Sequence, residues 1–307
     1  MTTTTPTRLT WAGTLRNFAV GISQIFLQET WIGGLLILIG IGCYSVPMAI
    51  TTAVGTLVAT ASARLVTLST DHGLMGYCGA LVGCASWATF GHGWHGLGAA
   101  LLATWVGAMA CPAITKAGSW IFERIPTVGG PLPVLTAPFC VASGIIALLA
   151  KAVAPAGPPP APATSTLAPV WQFGQALLTN VGQVVLAQSW IAGAFILAGL
   201  FVAGWRVGVA AIVGSLVGTL TALVAGTSLV NLTEGLNGFN PVLVVIAVAV
   251  VFLRPGWLSW LIGVVGAIAS VAVRWLITLT PVPGYTWPFI ITTWVIMVVC
   301  GRIRKAA

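Results

Sequence analysis

Two glutamines and two threonines stand in otherwise apolar sequence, and each has a counterpart in the other half of the chain. Gln24 lies in Gly21-Ile-Ser-Gln-Ile-Phe26 and Gln183 in Val181-Gly-Gln-Val-Val185. Thr136 lies in Leu135-Thr-Ala-Pro-Phe139 and Thr286 in Tyr285-Thr-Trp-Pro-Phe289. Amides and hydroxyls exchange hydrogen bonds without breaking covalent ones. Chemistry of that kind suits a site that replaces the hydration of a small polar solute. Other readings stand beside it. A Gln in an apolar helix also bridges neighbouring helices, and a Thr ahead of a Pro also satisfies a carbonyl freed at a kink. Recurrence at matched positions favours the solute site for the glutamines and leaves the threonines evenly placed between the two.

Groups that break bonds are sparse. The four acidic residues, Glu29, Asp71, Glu123 and Glu234, fall at segment ends. Asp71 and Glu234 precede a recurring box and read as helix N-terminal caps; Glu29 could face a vestibule. His92 and His95 form a two-histidine loop without a third ligand nearby, and His72 reads as structural. No phosphate-binding loop, zinc-protease motif or nucleophile elbow is present. Six cysteines lie in apolar segments with no Cys-x-x-Cys pair and read as small buried side chains. No metal, cofactor or enzymatic activity is expected. No ionisable residue sits mid-span as a proton relay or ion-coupling site, which argues for a channel rather than a pump.

The elements that position these residues must be membrane helices. The 307 residues are 58% hydrophobic and 5% charged, with a mean hydropathy of +1.04. Apolar runs near the roughly 20 residues a bilayer requires recur along the chain, and the alternation of a membrane β-barrel is absent. The clearest break is the Pro/Ala-rich stretch 152–170, a semi-extended linker. It separates a first half, 1–151, from a second, 171–307.

The halves repeat each other in order. Besides the Gln and TxPF segments, Trp31-Ile-Gly-Gly matches Trp190-Ile-Ala-Gly. Gly73-Leu-Met-Gly-Tyr77-Cys-Gly-Ala-Leu81 matches Gly235-Leu-Asn-Gly-Phe239-Asn-Pro-Val-Leu243. Each half opens with an amphipathic stretch, 11–27 or 171–187, read as a re-entrant half-helix. Five spans then follow, at 31–49, 51–67, 73–92, 96–115 and 135–151, and at 190–204, 209–226, 235–253, 257–277 and 285–301. Five is odd, so the second copy enters the membrane inverted. With the N-terminus in the cytoplasm, ten basic residues (Arg8, Arg16, Arg64, Lys116, Arg124, Arg206, Arg254, Arg302, Arg304 and Lys305) face inward, against Lys151 and Arg274 outside. That is the positive-inside bias. It accounts for the net charge of +8 without a nucleic-acid partner and puts both termini in the cytoplasm. The first ten residues are polar, and no cleavable signal peptide is expected.

The paired GLxG(Y/F)N-type and TxPF boxes resemble those of the urea transporter family, and the resemblance runs from about Leu15 to Cys300. It implies an all-α membrane protein of ten transmembrane helices in two inverted five-helix repeats plus two re-entrant half-helices. It also implies a homotrimer in the bacterial inner membrane, with one passive urea pore in each subunit. Urea is flat and neutral, so a selective pore should be a slot with apolar faces and acceptors along its edge; another small neutral solute (ammonia, water or a short amide) is the alternative cargo. The resemblance places Tyr77 and Phe239 over the slot faces, with Leu81 and Leu243 one turn on. It places Gln24 and Gln183 at the half-helix ends, in a ladder with the free backbone carbonyls there. Ile25 and Val184 line the slot, and Thr136 and Thr286 supply central hydroxyls. Two departures stand out: Cys78 replaces the asparagine kept as Asn240, and Gln28-Glu-Thr-Trp31 replaces an Asn-Pro pair.

Overall fold

The computed structural model describes residues 11–91, 96–127, 130–153 and 167–306. The first ten residues, His92, His95 and most of the 152–170 linker lie outside them. In chain order the helices are α1 (Trp11–Ser23), α2 (Trp31–Tyr44), α3 (Val46–Leu65), α4 (Gly76–Phe90), α5 (Leu97–Phe122) and α6 (Ala137–Val153). They continue with α7 (Pro169–Gln183), α8 (Trp190–Ala203), α9 (Trp205–Val224), the single turn α10 (Leu229–Leu232), α11 (Phe239–Val245), α12 (Trp257–Thr278) and α13 (Trp287–Ala306). A two-residue hairpin pairs Pro126–Thr127 with Gly130–Pro131.

Among the described residues α3, α5, α9, α12 and the segment Asp71–Phe90 are long and apolar enough to cross a bilayer. Shorter apolar helices run over Ala137–Val153, Trp190–Ala203, Phe239–Phe252 and Trp287–Cys300. Outward-facing side chains are apolar, with Leu102, Leu149, Val224 and Trp257 all largely exposed. Such a surface is stable against lipid and not against water. Several threonines inside the helices return their hydroxyls to the preceding turn, as Thr52 does to the Met48 carbonyl at 2.7 Å and Thr104 to Ala100 at 2.7 Å. These hydroxyls are thereby satisfied without water.

Helix breaks fall where local chemistry puts them, not where hydropathy fades. The first span ends at Tyr44 rather than at 49. Ser45 is extended and its side chain accepts from the Met48 N–H at 3.3 Å, with Pro47 in the first turn of α3. Gly204, extended and without a side-chain cap, separates α8 from α9, so α9 begins at Trp205 rather than 209. Farther on, α5 continues to Phe122 instead of stopping at 115. Asp71 and Glu234 do not cap the helices that follow. Those helices start at Gly76 and Phe239, beyond left-handed residues at Met75 and Gly235, and neither start has a side-chain cap. Asp71 instead heads a short turn and accepts from the Ser69 hydroxyl at 3.0 Å. The cysteines are all free; four are buried, but Cys43 is exposed and Cys300 half-buried on outward helix faces.

The chain turns by 75° between 13–26 and α2. At this turn Leu27 N–H bonds Gln24 O at 2.9 Å and Gln28 N–H bonds Ser23 O at 3.3 Å. At the end of α7, Leu186 N–H bonds Gln183 O at 3.0 Å and Ala187 N–H bonds Gly182 O at 3.2 Å. Both are Schellman closures with a leucine in the left-handed position, Leu27 at φ 60° and Leu186 at φ 58°. Leu135 and Tyr285, ahead of α6 and α13, also share positive φ, as do Gly73 and Gly235. Helices α2 and α8 touch backbone to backbone: a Cβ on Gly33 would lie 3.1 Å from the Gly199 carbonyl oxygen. That contact joins the two halves through their first full helices.

Candidate functional site

A small cavity of about 100 Å³ lies where α7 ends, α11 begins and α13 begins. Four residues expected at a solute site line it: Gln183, Val184, Phe239 and Thr286. Four others were not singled out: Phe139, Leu186, Leu236 and Tyr285. Phe139 and Tyr285 stood inside the TxPF segments, and motif membership was the signal that could have found them. Their rings meet at 5.1 Å with a 57° tilt, giving an apolar wall.

Each polar group here is held by the backbone around it. Gln183 is the last residue of α7, and its Oε1 is buried without a hydrogen-bond partner. A buried unpaired acceptor costs about 1–3 kcal/mol. A solute N–H can recover that cost. The α7 terminus also carries the negative end of its helix dipole, which favours donors and disfavours anions. Thr286 lies 2.7 Å, hydroxyl to hydroxyl, from Thr136, and 3.1 Å from the Cys140 sulfur. The two threonines, 150 residues apart in sequence, thus form one central polar point.

A wider space of about 300 Å³ shares Leu236, Phe239 and Tyr285 with the small cavity and adds Arg274, Thr278 and neighbouring apolar side chains. Arg274 Nη1 donates to Asn237 Oδ1 at 2.9 Å, pinning the turn that carries Leu236 and Phe239. The two spaces adjoin along Leu236, Phe239 and Tyr285, and Thr286 lines only the smaller one.

The remaining expected residues do not line the small cavity. Gln24 is buried and its Nε2 donates to the His72 carbonyl at 3.0 Å. Ile25, Leu81 and Leu243 are almost wholly enclosed in the main apolar core, which also holds Tyr77, Val184 and Phe239. Thr136 reaches the cavity only through Thr286. The expected backbone ladder is partly used up. Ser23, Gln24, Gly182 and Gln183 spend one carbonyl lone pair each on the Schellman closures, and Phe26 O accepts from Gln28 Nε2 at 3.0 Å.

The family model for urea transporters matches residues 15–301. The chain belongs to the urea transporter family. Similar members include urea transporter 1 of Ovis aries and of Capra hircus, each 28% identical over 292 residues, which is 89% of this chain and 73% of the relative. Urea transporter 1 of Rattus norvegicus is 27% identical over 291 residues, with the same coverage. As a family member with an apolar outer surface, it is a multi-pass membrane protein and not an enzyme.

The two GLxG boxes of this urea transporter family member differ, and the structure shows how the difference is absorbed. In the second half Asn240 Nδ2 donates to the Tyr285 carbonyl at 3.3 Å, and Asn240 Oδ1 accepts from Phe289 N–H at 3.0 Å. In the first half Cys78 cannot do this. The Tyr77 hydroxyl donates instead to the carbonyl of Leu135, at 2.8 Å. Leu135 and Tyr285 both lead a TxPF segment with positive φ. Tyr77 therefore makes one of the two bonds that Asn240 makes in the other half, the one to the residue that leads the TxPF segment. Tyr77→Phe should lower stability by about 1 kcal/mol, read as a thermal-shift loss of about 2–4 °C. Tyr77→Phe with Cys78→Asn should regain it. An unchanged single variant, or no recovery in the double variant, would refute the exchange.

Proposed function

We propose that this protein carries urea passively across the membrane through a narrow pore, of which the small cavity, with the wider space beside it as a funnel, is one half. The observation that carries the reading is Gln183 Oε1, an acceptor buried without a partner beside a second polar point at Thr286. A solute with several N–H donors, no charge and a flat body suits an acceptor set against apolar walls. The curated relatives carry urea transporter in their names, and urea meets each of these requirements. Gln24, Ile25, Tyr77, Leu81 and Thr136 are proposed to line the pore beyond Thr286, with Val184, Phe239 and Leu243 on the funnel side. Ions are rejected because a dry slot cannot repay their hydration.

The proposal extends to the architecture. Ten crossings arise from α2 to α6 and from α8 to α13 without the single turn α10, with α1 and α7 as half-helices. The recurring left-handed positions, Leu27 with Leu186 and Leu135 with Tyr285, support two copies of one unit. The odd number of crossings per copy and the ten-to-two split of basic residues support inversion, with both termini in the cytoplasm of an inner-membrane protein. Family resemblance supports a homotrimer with a pore in each subunit.

Purified protein in liposomes should speed urea efflux well above that of protein-free vesicles, measured by stopped-flow light scattering, with no sodium or proton gradient imposed. A strict requirement for either gradient would overturn the channel reading.

A further inference from the structure

The turn ahead of α4 is fastened to the first half-helix at three points. Asn17 Nδ2 donates to Thr70 O at 3.0 Å. Gln24 Nε2 donates to His72 O at 3.0 Å. His72 Nδ1 lies 2.9 Å from Glu29 Oε2, just past the half-helix end. His72 itself sits at φ 55° and ψ 25°, a left-handed conformation that a non-glycine residue adopts only when its surroundings hold it there. The chemistry of the middle contact is one-directional. A carbonyl only accepts, so Gln24 must turn its NH₂ toward His72. Its Oε1 is thereby directed elsewhere, as a pore acceptor requires. The matched place in the second half has no histidine–carboxylate pair, since Glu234 stands for His72 and Gln188 for Glu29.

We propose that His72 and Glu29 form a positioning clasp that fixes the Gln24 amide, and that protonation of His72 tightens it, so that urea flux rises as pH falls. The proposal rests on Gln24 being a pore acceptor. Both side chains of the pair are exposed, 68% for His72 and 56% for Glu29, so protons reach them freely. The other charged groups nearby are accounted for. Asp71, on the same turn, is engaged by Ser69 Oγ. Helix α1 brings Arg16, which is exposed. Helix α4 brings Tyr77 and Cys78, which lie inside its membrane span. Glu29 is the carboxylate in contact. A neutral imidazole still donates Nδ1–H to it, and the imidazolium adds charge to that bond.

The test is urea efflux from proteoliposomes with the same pH on both sides, at pH 6 and at pH 8. An exposed ion pair contributes modestly, so wild-type flux at pH 6 should exceed that at pH 8 by about two- to fivefold. Glu29→Gln keeps a hydrogen-bond partner but removes the charge. His72→Gly keeps the left-handed backbone but removes the imidazole. Both should be flat with pH. Gln24→Ala should be flat as well, because the clasp then holds nothing. A pH-independent wild type, or a step that survives Glu29→Gln, would overturn the clasp. So would a step that survives Gln24→Ala, even where reduced flux in that variant upholds its pore role. Flux unchanged by Gln24→Ala would overturn the pore reading of Gln24 instead.

Discussion

Gln183→Ala should lower urea flux about tenfold or more, with the protein still folded and monodisperse in detergent. Gln183 ends α7, so its loss removes no intrahelical hydrogen bond. Its Oε1 has no protein partner, so its loss frees no protein donor either. Stability should therefore hold or rise slightly. A solute crossing the cavity loses an acceptor set against apolar walls. An unmet hydrogen bond costs about 1–3 kcal/mol, and 1.4 kcal/mol is a factor of ten. The same step should raise the apparent activation energy of efflux. Wild-type flux through the alanine variant would remove the observation on which the proposed transport path rests.

The second large effect is on folding. Gly34→Ala and Gly193→Ala should each abolish or severely destabilise the folded protein. A Cβ on Gly34 would lie 1.7 Å from the Ala19 carbonyl oxygen, and one on Gly193 would lie 1.8 Å from the Leu178 carbonyl oxygen. No side-chain rotation relieves a clash with backbone. Helix α2 would have to separate from α1, or α8 from α7, and either shift would displace the segment that leads to Gln24 or Gln183. Overpacking of this kind costs about 3 kcal/mol or more, read as a thermal-shift loss of about 6 °C or beyond. Gly174→Ala serves as the contrast. It lies in α7 with open space where its Cβ would be, so alanine there should be neutral or slightly stabilising. Equal behaviour of Gly34→Ala and Gly174→Ala would show that the close approach is not needed.

These glycines illustrate what could and could not be read from sequence. Composition and hydropathy suffice for the membrane helices, because lipid imposes one requirement on every span. They do not place the breaks at Ser45 and Gly204, which are single extended residues within apolar runs. Helices α1 and α7 are legible because both stretches are amphipathic and run into a glutamine. The different fates of the two glutamines are not. Gln24 finds its partner 48 residues away at His72, and Gln183 finds none. Capping by Asp71 and Glu234 reads well locally and fails because a left-handed turn intervenes before each helix. Phe139 and Tyr285 escaped notice because an aromatic in a membrane helix is ordinarily core. Only the crossing of α6 and α13 near Thr136 and Thr286 brings their rings together.

The unequal boxes also constrain the order in which such a protein can change. Suppose the first half is to be converted, one mutation at a time, to the phenylalanine–asparagine form of the second. If Tyr77 changes first, the Leu135 carbonyl loses its donor and the intermediate is impaired. If Cys78 changes first, that carbonyl has two donors and two lone pairs to receive them, and the intermediate survives. One path passes through an intermediate weakened by about 1 kcal/mol and the other does not. Divergence between the halves then carries a direction: a sequence holding both Tyr and Asn in one box is the crossroads from which either present form is reached.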